Sequence, residues 1–452
     1  MKLSLQVAWS VEQSEISPFL LELGISRGVM AIIWIAGPLS GVLVQPYVGM
    51  KSDRCRSRFG KRRPFMVAGA VATIVSLMVL VWSFEITRGV LWVFGVPKES
   101  NTTRVTAIVV AVLMLYVLDF SINVLQASAR TFVVDSAPAF QQDIANAWAS
   151  RVSGIGDIIG FTFGYLNLGQ YLRALGDSQF KDLAFLASMA LIISTAITVT
   201  IKERGGDSGD DRQKQTLAGS FKELWHVTRR LPPQIKKICF VQLAAWIGWF
   251  PILFYTSTWI RDLYIAPVLR KHPDVPADDP SLSEHGTRLG SLGLLVKAVV
   301  TLTCSVAFPW IVRKVHLLTL KRIWTASHVI FAVLAGLTFL VDRVRSAILL
   351  TACMGVPWAI TLWVPFSLIA AEMKKDTRSE SDAGAILGIH NVAIAVPQVI
   401  AILASSAIFQ SLHTEAGQAD PDSIAWVFRF GGVMALVAAG LTCRLEDKVE
   451  EG

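Results

Sequence analysis

The chain has 452 residues, 53% of them hydrophobic and only 17% charged, with a mean hydropathy of +0.52. Apolar runs of about 20 residues recur throughout, the length of a helix that crosses a bilayer, which excludes an ordinary soluble protein. The net charge of +8 does not point to nucleic acid, because the positive residues cluster in short loops between apolar runs.

In chain order, spans are expected at 3–23, 28–50, 64–84, 105–134, 147–172 and 182–202, then at 235–258, 286–310, 322–341, 346–370, 383–410 and 423–443. The total is about twelve, so the fold class is all-α integral membrane. A hydrophilic stretch rich in Gly, Asp and Lys divides the spans evenly. This gives an N-terminal six-helix lobe over 1–202, a cytosolic linker over 203–234, a C-terminal six-helix lobe over 235–443 and a short cytosolic tail over 444–452. No cleavable leader is evident, since Met1 runs almost directly into the first span. Cys55, Cys239, Cys304, Cys353 and Cys443 support no disulfide or metal framework, and no cofactor or metal is expected.

Orientation follows the Lys and Arg residues. They crowd the loop after span 2 (Lys51 to Arg63), the central linker (Lys202 to Lys237) and the loop after span 8 (Arg313 to Arg322). Those loops share one side, read as cytosolic, together with both termini. The sequon at Asn101 falls on the opposite side, where glycosylation is possible. The most specific local signal is the loop with Gly49, Asp53, Arg54, Gly60, Arg62, Arg63 and Pro64. Two glycines permit a tight turn, Asp53 suits a neighbouring helix N-terminus, and the basic run pins the loop inside.

Span 4 carries Asp119, Asn123, Gln126 and Arg130, which lie on one stripe at about 100° per residue. Ionisable groups inside a membrane helix are costly against lipid, so the stripe reads as a pathway, with a structural polar seam as the alternative. Gly156, Gly160 and Gly164 repeat every fourth residue in span 5 and make a small face for close helix approach. Pro357, Pro365 and Pro397 are candidate bends. His226, His316 and His328 form no ligand cluster and read as peripheral, while His390 stays open.

The stretch from Trp34-Ile-Ala-Gly37-Pro38 to Arg63-Pro64-Phe65 resembles the sucrose–proton symporter family, the sugar branch of the major facilitator superfamily with plant sucrose carriers and fungal α-glucoside carriers. So do Leu118-Asp119 with Asn123, Gln126 and Arg130, the run Ala245 to Pro251, and the run His390 to Gln398. The resemblance covers nearly the whole chain. It implies a non-enzymatic, twelve-helix carrier with a sugar site between its lobes, moving a sugar and a proton by alternating access. It also implies that Asp119 carries the proton and that Arg130 is needed for coupling. Trp9-Ser-Val-Glu12-Gln13 matches as well, and the acid at Glu12 favours a fungal-type member. After span 7 the chain departs from plant members at Thr256, Thr258 and Arg261-Asp262, which leaves sucrose, maltose and related α-glucosides open.

Sugar sites pair amides and carboxylates with aromatic rings. The substrate-binding candidates are therefore Glu12, Asn123, Gln126, Trp9, Trp246 and Asn391, with Trp249, Trp358 and Trp363 as further rings. Glu12 is either a sugar contact or a second titrating acid. Asp157 in span 5 and Lys297 in span 8 stand where plant relatives present Asn, at matched depth in different lobes, and are expected to pair; the alternative leaves Asp157 in the cavity alone. Partners are then a small sugar, a proton and the lipid bilayer, with no nucleic acid. The plasma membrane is the expected location and the vacuolar membrane the alternative. Other readings of the same fold are a non-transporting sugar sensor and a carrier with a different solute or coupling ion.

Overall fold

The computed structural model describes residues 1–53, 55, 57–136, 141–170, 177–201, 227–276, 279–315, 318–373, 375, 383–412 and 419–446, and these are almost entirely helical. The first span is one continuous helical run in three parts: α1 (Lys2–Val11), a π-helical turn (Glu12–Ile16) and α2 (Ser17–Glu22). The second span is α3 (Arg27–Ile33) continued by α4 (Ala36–Asp53). Then come α5 (Arg63–Val81), a short α6 (Ser83–Val93), α7 (Asn101–Ser136), α8 (Gln142–Tyr165) and α9 (Gln179–Thr200). The second set is α10 (Pro233–Lys271), α11 (Pro280–Lys314), α12 (Leu320–Leu337), α13 (Val344–Met373), α14 (Ala383–Ser411) and α15 (Pro421–Thr442).

Ten of these runs have the length and apolarity of a membrane crossing. The run α1–α2 and helix α8 bring the total to twelve. They are less apolar because they carry Glu12, Glu15, Arg151 and Asp157; Glu12 and Glu15 are buried inside the bundle, where a helix can hold such groups. Side chains such as Val71, Leu113, Ile193, Val333 and Leu436 are exposed apolar groups on the outside of the bundle, the expected contact with acyl chains.

Helix starts are set by local chemistry. Ser26, Ser178, Asp279, Thr319 and Asp420 each accept a backbone N–H of their own helix's first turn, and proline follows at the first positions of α10, α11 and α15. Close crossings use glycine. A Cβ on Gly248 of α10 would lie 2.7 Å from the Gly431 carbonyl oxygen of α15. Likewise Gly156 and Gly160 of α8 are shaped to α1, where a Cβ would meet Leu3 O at 2.6 Å and Ser10 Cβ at 2.5 Å, and Gly164 meets Ser291 of α11.

The two sets of six helices touch along three seams: the π turn and α2 on α10, α3 and α4 on α14, and α8 on α11. Polar links across them gather at one end. Ser17 donates to the Phe254 carbonyl, Ser257 to the Ser14 carbonyl, Ser283 to Glu22 and Arg288 to the Tyr165 carbonyl, and Arg27 pairs with Asp262.

Three local expectations change. Gly49 makes no turn, because α4 continues past it to Asp53; Gly60, at φ 106°, makes the turn alone. The α10 and α11 helices run well beyond the expected 258 and before the expected 286, because amphipathic ends continue the helix into the polar region. His328 is buried against Trp324, ring centroids 5.5 Å apart, and is not peripheral. The linker over 202–226, with His226, and His316 lie outside the described residues.

Candidate functional site

The site grows from the middle of the first span. Asp119 of α7 is 0% exposed and Glu12, the first residue of the π turn, 1% exposed. Their carboxyls lie in hydrogen-bonding reach of each other. Neither receives a hydrogen bond from any other described group. A π turn admits one extra residue into the helix and so re-aims the side chains around it, a feature that concentrates at functional sites. Gly37 of the second span leaves room beside the pair, since a Cβ there would stand 3.7 Å from Asp119 Oδ1.

Lower on the same stripe the polar residues diverge. Asn123 is fully engaged by protein. Its amide donates to Ser40 Oγ and the Asp119 carbonyl, at 2.8 and 2.9 Å, and its oxygen accepts from Gln45 at 2.8 Å. With both N–H groups spent, Asn123 ties α7 to α4, and only one lone pair of its oxygen is left for a ligand. Gln126 is half-buried, and Arg130 is exposed and stands near Lys2, with no ion-pair partner among the described residues.

A second group gathers where α8 meets α11. Asp157 accepts from Gln6 Nε2 at 2.8 Å and from Ser10 Oγ at 3.4 Å. Lys297 is buried on the facing helix, within electrostatic reach of Asp157 but not in direct contact, with Nζ 5.9 Å from the Trp358 ring centre. The expected pair therefore stands across the seam with a gap. Trp358 in turn packs edge-on against Trp246 at 5.8 Å and against Trp249 at 4.8 Å.

Among the candidate tryptophans, Trp9 and Trp246 keep buried indole N–H groups without a partner, whereas Trp249 is packed into the core against Phe331. A buried indole donor with no partner among the described residues suits a hydroxyl-rich ligand, and Trp246 adds the ring of Trp358 beside it. Asn391 is half-buried, and its neighbour His390 is held by Gln242 at 2.9 Å and lies against Phe366.

The basic loop forms a separate polar knot. Arg62 donates to Asp135 at the end of α7, at 2.8 Å, and to Ser52, while Arg63 donates to the Ile201 carbonyl at the end of α9. The side chains of Asp53 and Arg54 lie outside the described residues. The sequence reading missed Gln6, Glu15 and the Arg27–Asp262 pair. Glu15 is buried in the π turn and accepts from Ser14 at 3.3 Å. An acid three residues after Glu12 was the available signal for it. Nothing in the sequence links Arg27 to a residue 235 positions away.

Comparison with known proteins agrees with this architecture. A family model described as MFS/sugar transport protein matches residues 3–97. The chain is 33% identical to the general alpha-glucoside permease of Schizosaccharomyces pombe, covering 97% of this chain and 90% of the permease. It is 28% identical to the sucrose transport protein SUT5 of Oryza sativa, covering 96% and 85%. Among solved structures, a D-xylose–proton symporter superposes with a TM-score of 0.63 at 13% identity over 99% of this chain and 97% of that one, a likeness of fold.

Proposed function

The chain belongs to the α-glucoside and sucrose transporter family of the major facilitator superfamily, and from that premise we propose that it moves sucrose, maltose or a related α-glucoside together with a proton by alternating access. The observation that carries the reading is Asp119: a carboxyl with no basic partner among the described residues, buried at the centre of a membrane bundle, which fits a group that gains and loses a proton.

The sugar sits between the lobes. Trp9 and Trp246 offer indole donors, Gln126 and Asn391 offer amides, and the Trp246–Trp358 wall stacks on the C–H face of a pyranose. Arg130 takes part in coupling from the mouth of the stripe. The two six-helix lobes, with boundaries near 202 and 235, move against one another, and the Arg62–Asp135 knot steadies one end of the N-terminal lobe. The basic loops lie at the cytosolic end with both termini, so the linked end of the seams faces out. The plasma membrane is the site of action.

Uptake of radiolabelled sucrose and maltose into transport-deficient cells, with and without a protonophore, tests this. Accumulation that the protonophore abolishes is the expected result. Specific sugar binding without any uptake would favour a sensor, and protonophore-insensitive accumulation a different coupling ion.

A further inference from the structure

We propose that Glu12 and Asp119 hold the transported proton between them as a single two-carboxyl unit. The proposal rests on the proton-coupled reading above and adds a second acid to it. Both side chains are buried, their carboxyls are in hydrogen-bonding reach, and none of the four oxygens is served by another described donor. An ionised carboxylate only accepts hydrogen bonds. Two of them in contact have nothing to exchange, and they repel strongly where water does not screen them. With one proton present, the O–H of one carboxyl donates to the other, and this charge-assisted contact meets the polar needs of both groups at once. Apposition of the two carboxyls suits the singly protonated pair.

The surroundings support this. Tyr116, nearly one turn before Asp119 on α7, is within electrostatic reach of it, and Gly37 from the second span presents no side chain at all. Glu12 and Asp119 form no ion pair with any described Lys or Arg. A proton is then what remains to balance them.

The π turn explains how such a unit is coupled to movement. When the O–H bond breaks, the proton passes to water and its electron pair stays on the carboxylate. The unit goes from a charge of −1 to −2, and the next proton restores it. Two like charges in contact are relieved only by parting, and the turn at Glu12–Ile16 is the segment of the first span whose register is already irregular. Loss of the proton thus drives a shift of the first span against α7.

The test uses the full chain in proteoliposomes, with sucrose or maltose, whichever the wild type carries. Sugar-dependent proton uptake and sugar counterflow are measured for Glu12→Gln, Glu12→Asp, Asp119→Glu and the exchange Glu12→Asp with Asp119→Glu. Each single acid change alters the reach across the pair by one methylene, and the exchange restores the total. Each single is expected to lose proton uptake by about tenfold or more, with the exchange returning to within about threefold of wild type, a non-additive result. Glu12→Gln is expected to remain monodisperse in detergent, which shows a folded carrier, while losing proton-driven accumulation. Losses that multiply in the exchange, or a Glu12→Gln carrier with undiminished proton-driven accumulation, overturn the unit. A wild type with counterflow but no sugar-dependent proton uptake removes the proton-coupled reading, and the unit with it.

Discussion

Arg27 of α3 and Asp262 of α10 meet as an ion pair across the seam between the two helix sets, 1% and 0% exposed. Asp262 also accepts from Arg261 at 3.2 Å and from the backbone N–H of Asp420 at 3.3 Å, so one carboxylate ties together α3, α10 and the start of α15. Arg261 in turn reaches Ser283 and stands 3.9 Å from Glu22. Contacts of this kind exist only while that end is closed, so their free energy counts toward one conformation and not the other.

Replacing Arg27 with Met is therefore expected to open that end. Breaking one side of a buried pair costs about 3–5 kcal/mol where the other charge is left alone, and less here because Arg261 and the Asp420 N–H still serve Asp262. A cost of even about 1.4 kcal/mol, charged to the closed state alone, changes its population about tenfold. In a background with the native cysteines replaced, Ser257→Cys reports on the seam, since Ser257 is buried there. Labelling by a membrane-impermeant maleimide should accelerate when Arg27→Met is added. An unchanged rate would mean that the pair does not latch the seam.

Asp119→Asn keeps the shape of the side chain and removes its titration. Accumulation against a gradient should vanish, while exchange of sugar across the membrane persists. Undiminished accumulation in this variant would sink the proton-carrier role.

Arg130 is exposed and has no ion-pair partner among the described residues. Arg130→Lys keeps the charge but loses the planar fork, and partial uptake is expected; Arg130→Ala should abolish accumulation. Normal uptake by the alanine variant would take Arg130 out of the coupling mechanism.

Asp157 and Lys297 face one another across α8 and α11 without direct contact, and Gln6 and Ser10 already serve the carboxylate. If the gap closes during transport, Asp157→Asn and Lys297→Asn will each reduce uptake, and the double change will recover much of the loss. Strictly additive losses mean that the two charges work separately.

Gly160→Ala provides a stability measurement with no charge involved. A Cβ there would stand 2.5 Å from Ser10 Cβ, so α1 and α8 must move apart. Overpacking of this sort costs about 1–3 kcal/mol, read as a lower thermal midpoint in detergent. An unaltered midpoint would show that α1 yields at that crossing.

The spans were legible because about 20 apolar residues in a row have few other uses. That Asp119 is buried within the bundle was legible because a charge facing lipid is costly. Partnership was not. Asn123 reads as a free amide in the sequence, yet Ser40 and Gln45, some eighty residues earlier, occupy it. The Glu12 turn was hidden for a different reason: Trp9 to Ile16 has the composition of an ordinary helix, and the π register comes from packing that no local pattern encodes. Gly156 and Gly160 were legible as a small face, but not that the face belongs to α1.

Helix α10 runs without interruption from Pro233 to Lys271, with Pro251 near its middle. At about 1.5 Å per residue it is about 58 Å long, roughly twice the hydrocarbon thickness of a bilayer. Pro251, near Trp246 and Trp249, lacks an N–H for the helix ladder and is a place where such a helix can bend. A tilt of only about 10° about Pro251 would sweep Lys271, about 30 Å away, through about 5 Å. A displacement of the Trp246 indole by a fraction of an ångström would act close to the bend, while the pair at Asp262 rides further out on the same helix.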